Sequence, residues 1–438
     1  MHIQHIKHAY ENIKSACDRK LKQIYPIKIP ESVNDRYQKE LEFLKTSDYL
    51  DDFEIFRCLN TEAAKCSQLI SMRGTITGSY IIYLLGHSLL NPLPSHYYCP
   101  KCGHYETVDT KLFGIDLPDA KCPICQNNLT TDGFNLPLEG AWGLDGKKTL
   151  SFEYNISEDF LPFSKRVLER LYPGHVIALL GLCSRTERGD AIEMKHSGFL
   201  ILPEGRNIED YPEMIGFLDD GELCLSGNIM DIENHYMHRI LLLQNKCLEQ
   251  IIAMQRKTGI YANEITLQEL RTLNWNDINN SSALTEAESY LFHTIRPKTF
   301  YDMVCLNAAS HNTYRNKDYS PLDDNYYFLP SLFETAEFHQ YSCYTREDFF
   351  DALLKMGIEL EKAYEIAEFI GKGKQHSSNQ TLMDQFASYE LPDEFQAVAK
   401  EYLYVFPRCH CAEYMLMYAK LGFYAKKNRR VFSKIVFR

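Results

Sequence analysis

A chain of 438 residues is long enough to bury a substantial core divided among two or three subdomains. At 45% hydrophobic and 24% charged residues it has the composition of a folded globular protein, neither disordered nor membrane-spanning. A net charge of −12 argues against a surface that attracts nucleic acid all over, and the longest apolar run, YIIYLLGHSLL at 80–90, is too short to cross a bilayer.

The first helix is expected where Ile6, Ala9, Tyr10, Ile13, Cys17, Leu21 and Ile24 recur at three-to-four spacing. Pro26 and Pro30 close it, and a second helical pattern runs through Val33, Tyr37, Leu41 and Leu44. The N-terminus lacks the cationic start and apolar block of a secretory signal, so a cytoplasmic protein without membrane contact is expected. From about 75 to 235, turn residues separate short runs such as TLSFEYNIS, HVIALLGL and SGFLILP, which read as strands. Beyond Asp231 the periodicity is helical again, most clearly in GIELEKAYEIAEFIGKGK. The fold class is therefore α+β, a mixed centre capped by a mainly helical C-terminal half. From Lys420 onward there are seven Lys or Arg and no acid. That segment is either a solvated basic tail or a local contact for phosphates.

Two Cys-x-x-Cys knuckles stand out, Cys99/Cys102 and Cys122/Cys125, with nineteen residues between them. Fourteen cysteines in a reducing compartment are mostly thiols, and knuckled ones are metal ligands before they are disulfides. Four thiolates complete a closed zinc site with no position for a catalytic water, so a structural Zn2+ in a four-cysteine zinc ribbon is expected. A redox Cys-x-x-Cys is the alternative, less suited to two copies flanking a Gly/Asp-rich loop.

The flanks of these knuckles carry a resemblance. MRGTITGS at 72–79, NPLPSHYYCPKC, GIDLPDAKCPIC and DGFNLPLE, followed by HSGFLILP, IMDIENH, RPKTFYDMV, GKGK and YVFPRCHCAEYMLM in that order, resemble the core of the PolC-type DNA polymerase III alpha subunit of low-GC Gram-positive bacteria, a family C DNA polymerase. Matches run from about residue 20 to 425, poorest near 235–290. The resemblance implies an N-terminal helical region (1–48), a first palm part (49–165) containing the zinc ribbon (99–125), a reduced thumb (166–195), a second palm part (196–240), a helical fingers-like region (241–425) and a basic tail (426–438). It also implies that the family's N-terminal modules and its duplex- and clamp-binding regions are absent from this chain.

In that family three palm aspartates bind two magnesium ions for nucleotidyl transfer, the first two as Asp-x-Asp on a strand. Register through GKKTLSFEYNIS puts Ser151 and Glu153 at those two positions and Asp231 at the third. Serine is a poor magnesium ligand beside an ionised carboxylate. Without the resemblance, Ser151 and Glu153 read as an outward strand face. The family's nucleotide contacts map onto Arg73, Gly74, Gly78 and Ser79 in the glycine-bearing turn, Ser310 and His311 in AASHNTYRN, and Arg408 and His410 in YVFPRCHC; for the turn a purely structural role stays open. The expected function is a catalytically impaired PolC-like core with a binding or regulatory role in DNA replication or repair. Its implied partners are primer-template DNA, a deoxynucleoside triphosphate or a replisome protein. An active distributive DNA-directed DNA polymerase is the alternative, with Mg2+ or Mn2+ on Glu153 and Asp231 and a neighbouring Asp145, Asp159 or Glu233. A zinc-ribbon scaffold is a third reading.

Overall fold

The computed structural model describes residues 6–86, 88–182, 194–218, 221–226, 232, 234–275, 284, 286–314 and 343–436. Three sixteen-residue helices open the chain: Ala9–Ile24, Glu31–Thr46 and Leu50–Lys65. The first buries Ile13, Cys17 and Leu21, the second Val33, Tyr37, Leu41 and Leu44, the faces their periodicity predicts. Pro30 serves as the N-cap of the second, where its missing N–H costs nothing.

Strands follow in the order β1 (Ser71–Arg73), β2 (His96–Tyr98), β3 (Tyr105–Thr107), β4 (Thr130–Asp132), β5 (Glu153–Ile156), β6 (Val176–Leu182), β7 (Met194–Ile201), β8 (Ile215–Phe217), β9 (Leu223–Ser226) and β10 (His238–Gln244). Strands β3-β2-β4 make a small antiparallel ribbon that carries the cysteine knuckles. The other seven form one mixed sheet, β1-β5-β10-β7-β6-β9-β8. Within it β5 runs parallel to β10 and β6 parallel to β9, and the other neighbours are antiparallel. Gly198 in β7 has φ +137°, and a Cβ there would come within 2.0 Å of the Ile240 carbonyl oxygen, so only glycine lets β7 and β10 approach at this point.

The helices Leu50–Lys65 and Leu161–Leu171 cover one face of this sheet, with Phe53 and Phe56 against Phe152 and Tyr154. Tyr211, Met214, Ile232 and Met237 cover part of the other face. The C-terminal half is helical around the twenty-residue helix Arg408–Lys427, fourteen of whose residues are buried. A helix buried along most of its surface belongs in the middle of a bundle. It packs on Lys246–Thr258, Phe300–His311 and Arg429–Val436.

Within the stretch 166–195, the end of helix Leu161–Leu171 is followed by β6, and Met194 opens β7 of the seven-stranded sheet. Near the end of the described residues Arg429–Val436 is an amphipathic helix that buries Phe432 and Val436 and keeps Arg429, Arg430 and Lys434 in solvent. Among the described residues no helix is long and apolar enough to cross a membrane.

Candidate functional site

The knuckles meet as the spacing requires. One ligand atom from each of Cys99, Cys102, Cys122 and Cys125 lies within 4.8 Å of the others. Cys99 Sγ is 3.4 Å from Cys125 Sγ, and Cys102 Sγ is 3.5 Å from Cys122 Sγ. A tetrahedral ion with metal–sulfur bonds of about 2.3 Å needs sulfur–sulfur edges of roughly 3.8 Å, so the donor set fits a metal ion with little adjustment. Each knuckle closes on itself: the Gly103 N–H donates to the Cys99 carbonyl and the Gln126 N–H to the Cys122 carbonyl, both at 2.9 Å. Among the described residues this is the only cluster of three or more metal-ligating side chains.

The second centre lies where β1 and β5 meet the start of helix Arg408–Lys427. Register places Arg73 opposite Glu153, and Glu153 beside Leu241 of β10. Paired residues share a face, so the arginine and the carboxylate project together. Arg73 Nε is 3.9 Å from Glu153 Oε2, and each side chain is 32% exposed, open enough to meet a ligand. The Ser151 hydroxyl donates to Glu153 Oε1 at 3.3 Å. Gly74 follows with φ +80°, turning the chain into the short helix Thr75–Gly78. Its N–H donates to His410 Nδ1 at 3.3 Å, which leaves the imidazole proton on Nε2. Burial first, then the charge of Arg73 and the neighbouring His311, push the His410 pKa down to about 3. His410 is therefore a neutral group at physiological pH, a donor through Nε2 rather than a cation.

Other expected nucleotide contacts face inward. Ser79 is completely buried; its hydroxyl donates to Glu40 Oε2 at 2.6 Å and caps the helix Tyr80–Leu85. Glu40 also accepts the Tyr80 and Ile81 N–H groups and pairs with Arg36 at 2.6 Å, so Ser79 has no free hydrogen to offer a phosphate. Gly78 is a packing position, where a Cβ would sit 3.7 Å from Ala141 and Cys409. Arg408 is 3% exposed. Its Nη2 pairs with Asp348 at 2.8 Å and Asp351 at 2.7 Å, and its Nη1 donates to the Asn135 carbonyl at 2.8 Å. The guanidinium is thus turned into the protein. The Ser310 hydroxyl donates to the Asn307 carbonyl at 2.8 Å. His311 remains half-buried against Phe406, beside His410. Asp231 and Glu233 lie outside the described residues. Asp145 and Asp159 are engaged elsewhere, with Lys147 at 3.2 Å and Arg256 at 3.1 Å.

Sequence reasoning missed several groups. Glu368 joins Lys148 at 3.0 Å, Lys372 at 3.0 Å and Arg346 at 3.7 Å. Burial works against its charge, but Lys148 and then Arg346 outweigh that and hold its pKa at about 2. Asp52 sits beside His238, Oδ1 to Nε2 at 2.9 Å. Arg239 lines the same notch of the sheet as Ser151. Apart from the local Glu368–Lys372 pair, four residues apart, these pairings have no spacing signal, because they join elements distant in the chain.

Residues 11–159 match the family described as Bacterial DNA polymerase III alpha NTPase domain. The chain is a relative of the bacterial DNA polymerase III alpha subunits, the family C polymerases. Within that class it is PolC-like. The DNA polymerase III PolC-type of Caldanaerobacter subterraneus subsp. tengcongensis is 23% identical over 96% of this chain and 33% of its own length. That of Thermotoga petrophila is 22% identical over 97% and 34%, and that of Bacillus subtilis 23% over 96% and 32%. The chain spans about a third of the length of the curated relatives it matches.

Proposed function

We propose that this chain is a PolC-like palm and fingers core whose metal site is impaired, and that it binds nucleotide or primer-template DNA, or a replisome protein, in a regulatory role. In this reading the seven-stranded sheet is the palm and the helical half the fingers. The observation that carries it is the Glu153 corner. A serine hydroxyl and an arginine flank the one described carboxylate, where the family has a second carboxylate. A magnesium ion needs several anionic oxygens in octahedral array. Arg73, 3.9 Å from Glu153, instead supplies positive charge of its own. Bound magnesium or manganese would supply an activated primer hydroxyl and a stabilised leaving pyrophosphate. Glu153, with Asp231 from IMDIENH, would be the residues to hold it. The cysteine quartet is proposed to hold zinc in a structural role, since four thiolates leave no open position.

Primer extension on a short primed template, with magnesium and then manganese, tests the reading with wild type beside Asp231→Ala. The expected result is no extension at ordinary rates by folded, zinc-loaded protein. Extension that disappears in Asp231→Ala would establish instead a small distributive polymerase, the reading that the retained Glu153 favours.

A further inference from the structure

Strands β5 and β10 pair in parallel only from Glu153 and Leu241 onward. Ahead of that level His238, Arg239 and Ile240 of β10 pair with β7. The chain entering β5 is held away from them, the Leu150 N–H donating to Tyr49 Oη at 3.1 Å. The splay opens a cavity of about 220 Å³, lined by Tyr49, Asp52, Ser151, Phe152, His238 and Arg239 among others. It begins two residues before Glu153, at the position where the PolC-like pattern has lost a carboxylate.

Among the described lining residues of this notch the charge is unbalanced. Asp52, the carboxylate among its lining residues, is buried and matched by His238 at 2.9 Å. Burial disfavours the imidazolium, but the Asp52 charge outweighs it and raises the His238 pKa above its ordinary value. Arg239 has no hydrogen-bond or ion-pair partner among the described residues. Tyr49 Oη accepts one N–H and keeps its own hydrogen for donation. The exposed Ser151 hydroxyl, whose bond to Glu153 is long at 3.3 Å, rotates freely enough to donate into the notch. A guanidinium and two hydroxyls around one cavity match the oxygens of a tetrahedral dianion.

We infer that this notch binds a phosphoryl group without a metal ion, with Arg239 supplying the charge and Tyr49 and Ser151 the hydrogen bonds. The ligand is a phosphate monoester or inorganic phosphate. Serine at 151 matters because an aspartate there would repel the dianion. The inference rests on the notch alone and holds whether or not the neighbouring Glu153 corner transfers nucleotides.

Titration calorimetry on the full chain tests it, in buffer free of added divalent ions. The titrants are inorganic phosphate, then a short oligonucleotide with a terminal 5′-phosphate, then the same strand ending in hydroxyls. Saturable phosphate binding is expected, weakened about tenfold or more by Arg239→Gln and by Ser151→Asp, reduced less by Tyr49→Phe, and unchanged by added magnesium. Circular dichroism and bound-zinc content, unchanged among the variants, separate loss of the site from loss of the fold. Tighter binding of the phosphorylated strand than of its hydroxyl counterpart would assign the notch to strand ends; equal binding of the two strands with retained phosphate binding would assign it to small phosphates. Absence of saturable binding, binding that requires magnesium, or affinity unaffected by both Arg239→Gln and Ser151→Asp overturns the inference.

Discussion

Arg408 Nη2 lies between Asp348 and Asp351 in a region where the arginine and Asp348 side chains are about 5% exposed or less. Burial alone would weaken the guanidinium's charge; Asp351 and then Asp348 more than restore it, so its pKa stays well above the usual arginine value. Truncating such a group leaves carboxylates without a partner. Arg408→Met is expected to cost about 3–5 kcal/mol, read as a lower midpoint in urea unfolding, and Arg408→Lys recovers only part because it loses the forked geometry. His410 gives a pH signature. Its folded pKa of about 3 lies below the ordinary 6.5, so the unfolded chain takes up a proton first as pH falls. Its stabilisation is full above pH 6.5 and declines from there toward pH 3. Between pH 7 and 5 the loss should be about 2 kcal/mol. Urea unfolding of wild type against His410→Asn isolates it from His238, whose raised pKa gives the opposite slope.

The ribbon β3-β2-β4 is three short strands of three residues each, too little to fold on its own. Its rigidity depends on the sulfur cluster at one end and on contacts to the helical half at the other. There Asp116 accepts the Phe300 N–H at 2.6 Å and the Tyr301 N–H at 3.0 Å, capping helix Phe300–His311. Cys122→Ser removes one thiolate of the quartet and should raise hydrogen exchange across 96–132 and in the first turn of that helix. Exchange confined to the ribbon would show that the two elements are not coupled. The knuckles were legible from sequence because both Cys-x-x-Cys spacings are local. The Asp116 cap was not, since its partners lie 184 and 185 residues away.

At the scale of the whole molecule, two large cores divide the chain, one around the sheet and N-terminal helices and one around helix Arg408–Lys427. Polar bridges cross between them. Lys148, two residues before Leu150 of the sheet core, reaches Glu368 at 3.0 Å, and Arg36 donates to the Leu136 carbonyl. Glu368 has a folded pKa of about 2 against an ordinary 4.5. Its stabilisation is complete above pH 4.5 and is lost as pH falls from there toward 2. Glu368→Gln should lower stability at pH 7 and flatten its decline below pH 4.5, measured by urea unfolding at pH 7 and pH 3. An equally steep acid decline in the variant would place the sensitive group elsewhere.

What the sequence determined by itself is whatever depends on local spacing. Helical stripes at Ile13, Cys17 and Leu21, strand runs such as TLSFEYNIS and the paired cysteines are set by periods of two to four residues. The PolC-like order of motifs was legible in the same way. Only the tertiary structure decided which charged residues have partners. Arg73 and Arg408 look equivalent as motif arginines, yet one stands open beside Glu153 and the other is enclosed by Asp348 and Asp351. Ser79 is bonded to Glu40, thirty-nine residues away, and Arg239 and Ser151 line one cavity because two parallel strands diverge. Availability for binding is a property of burial and pairing, and both are set by contacts between elements that no local pattern records.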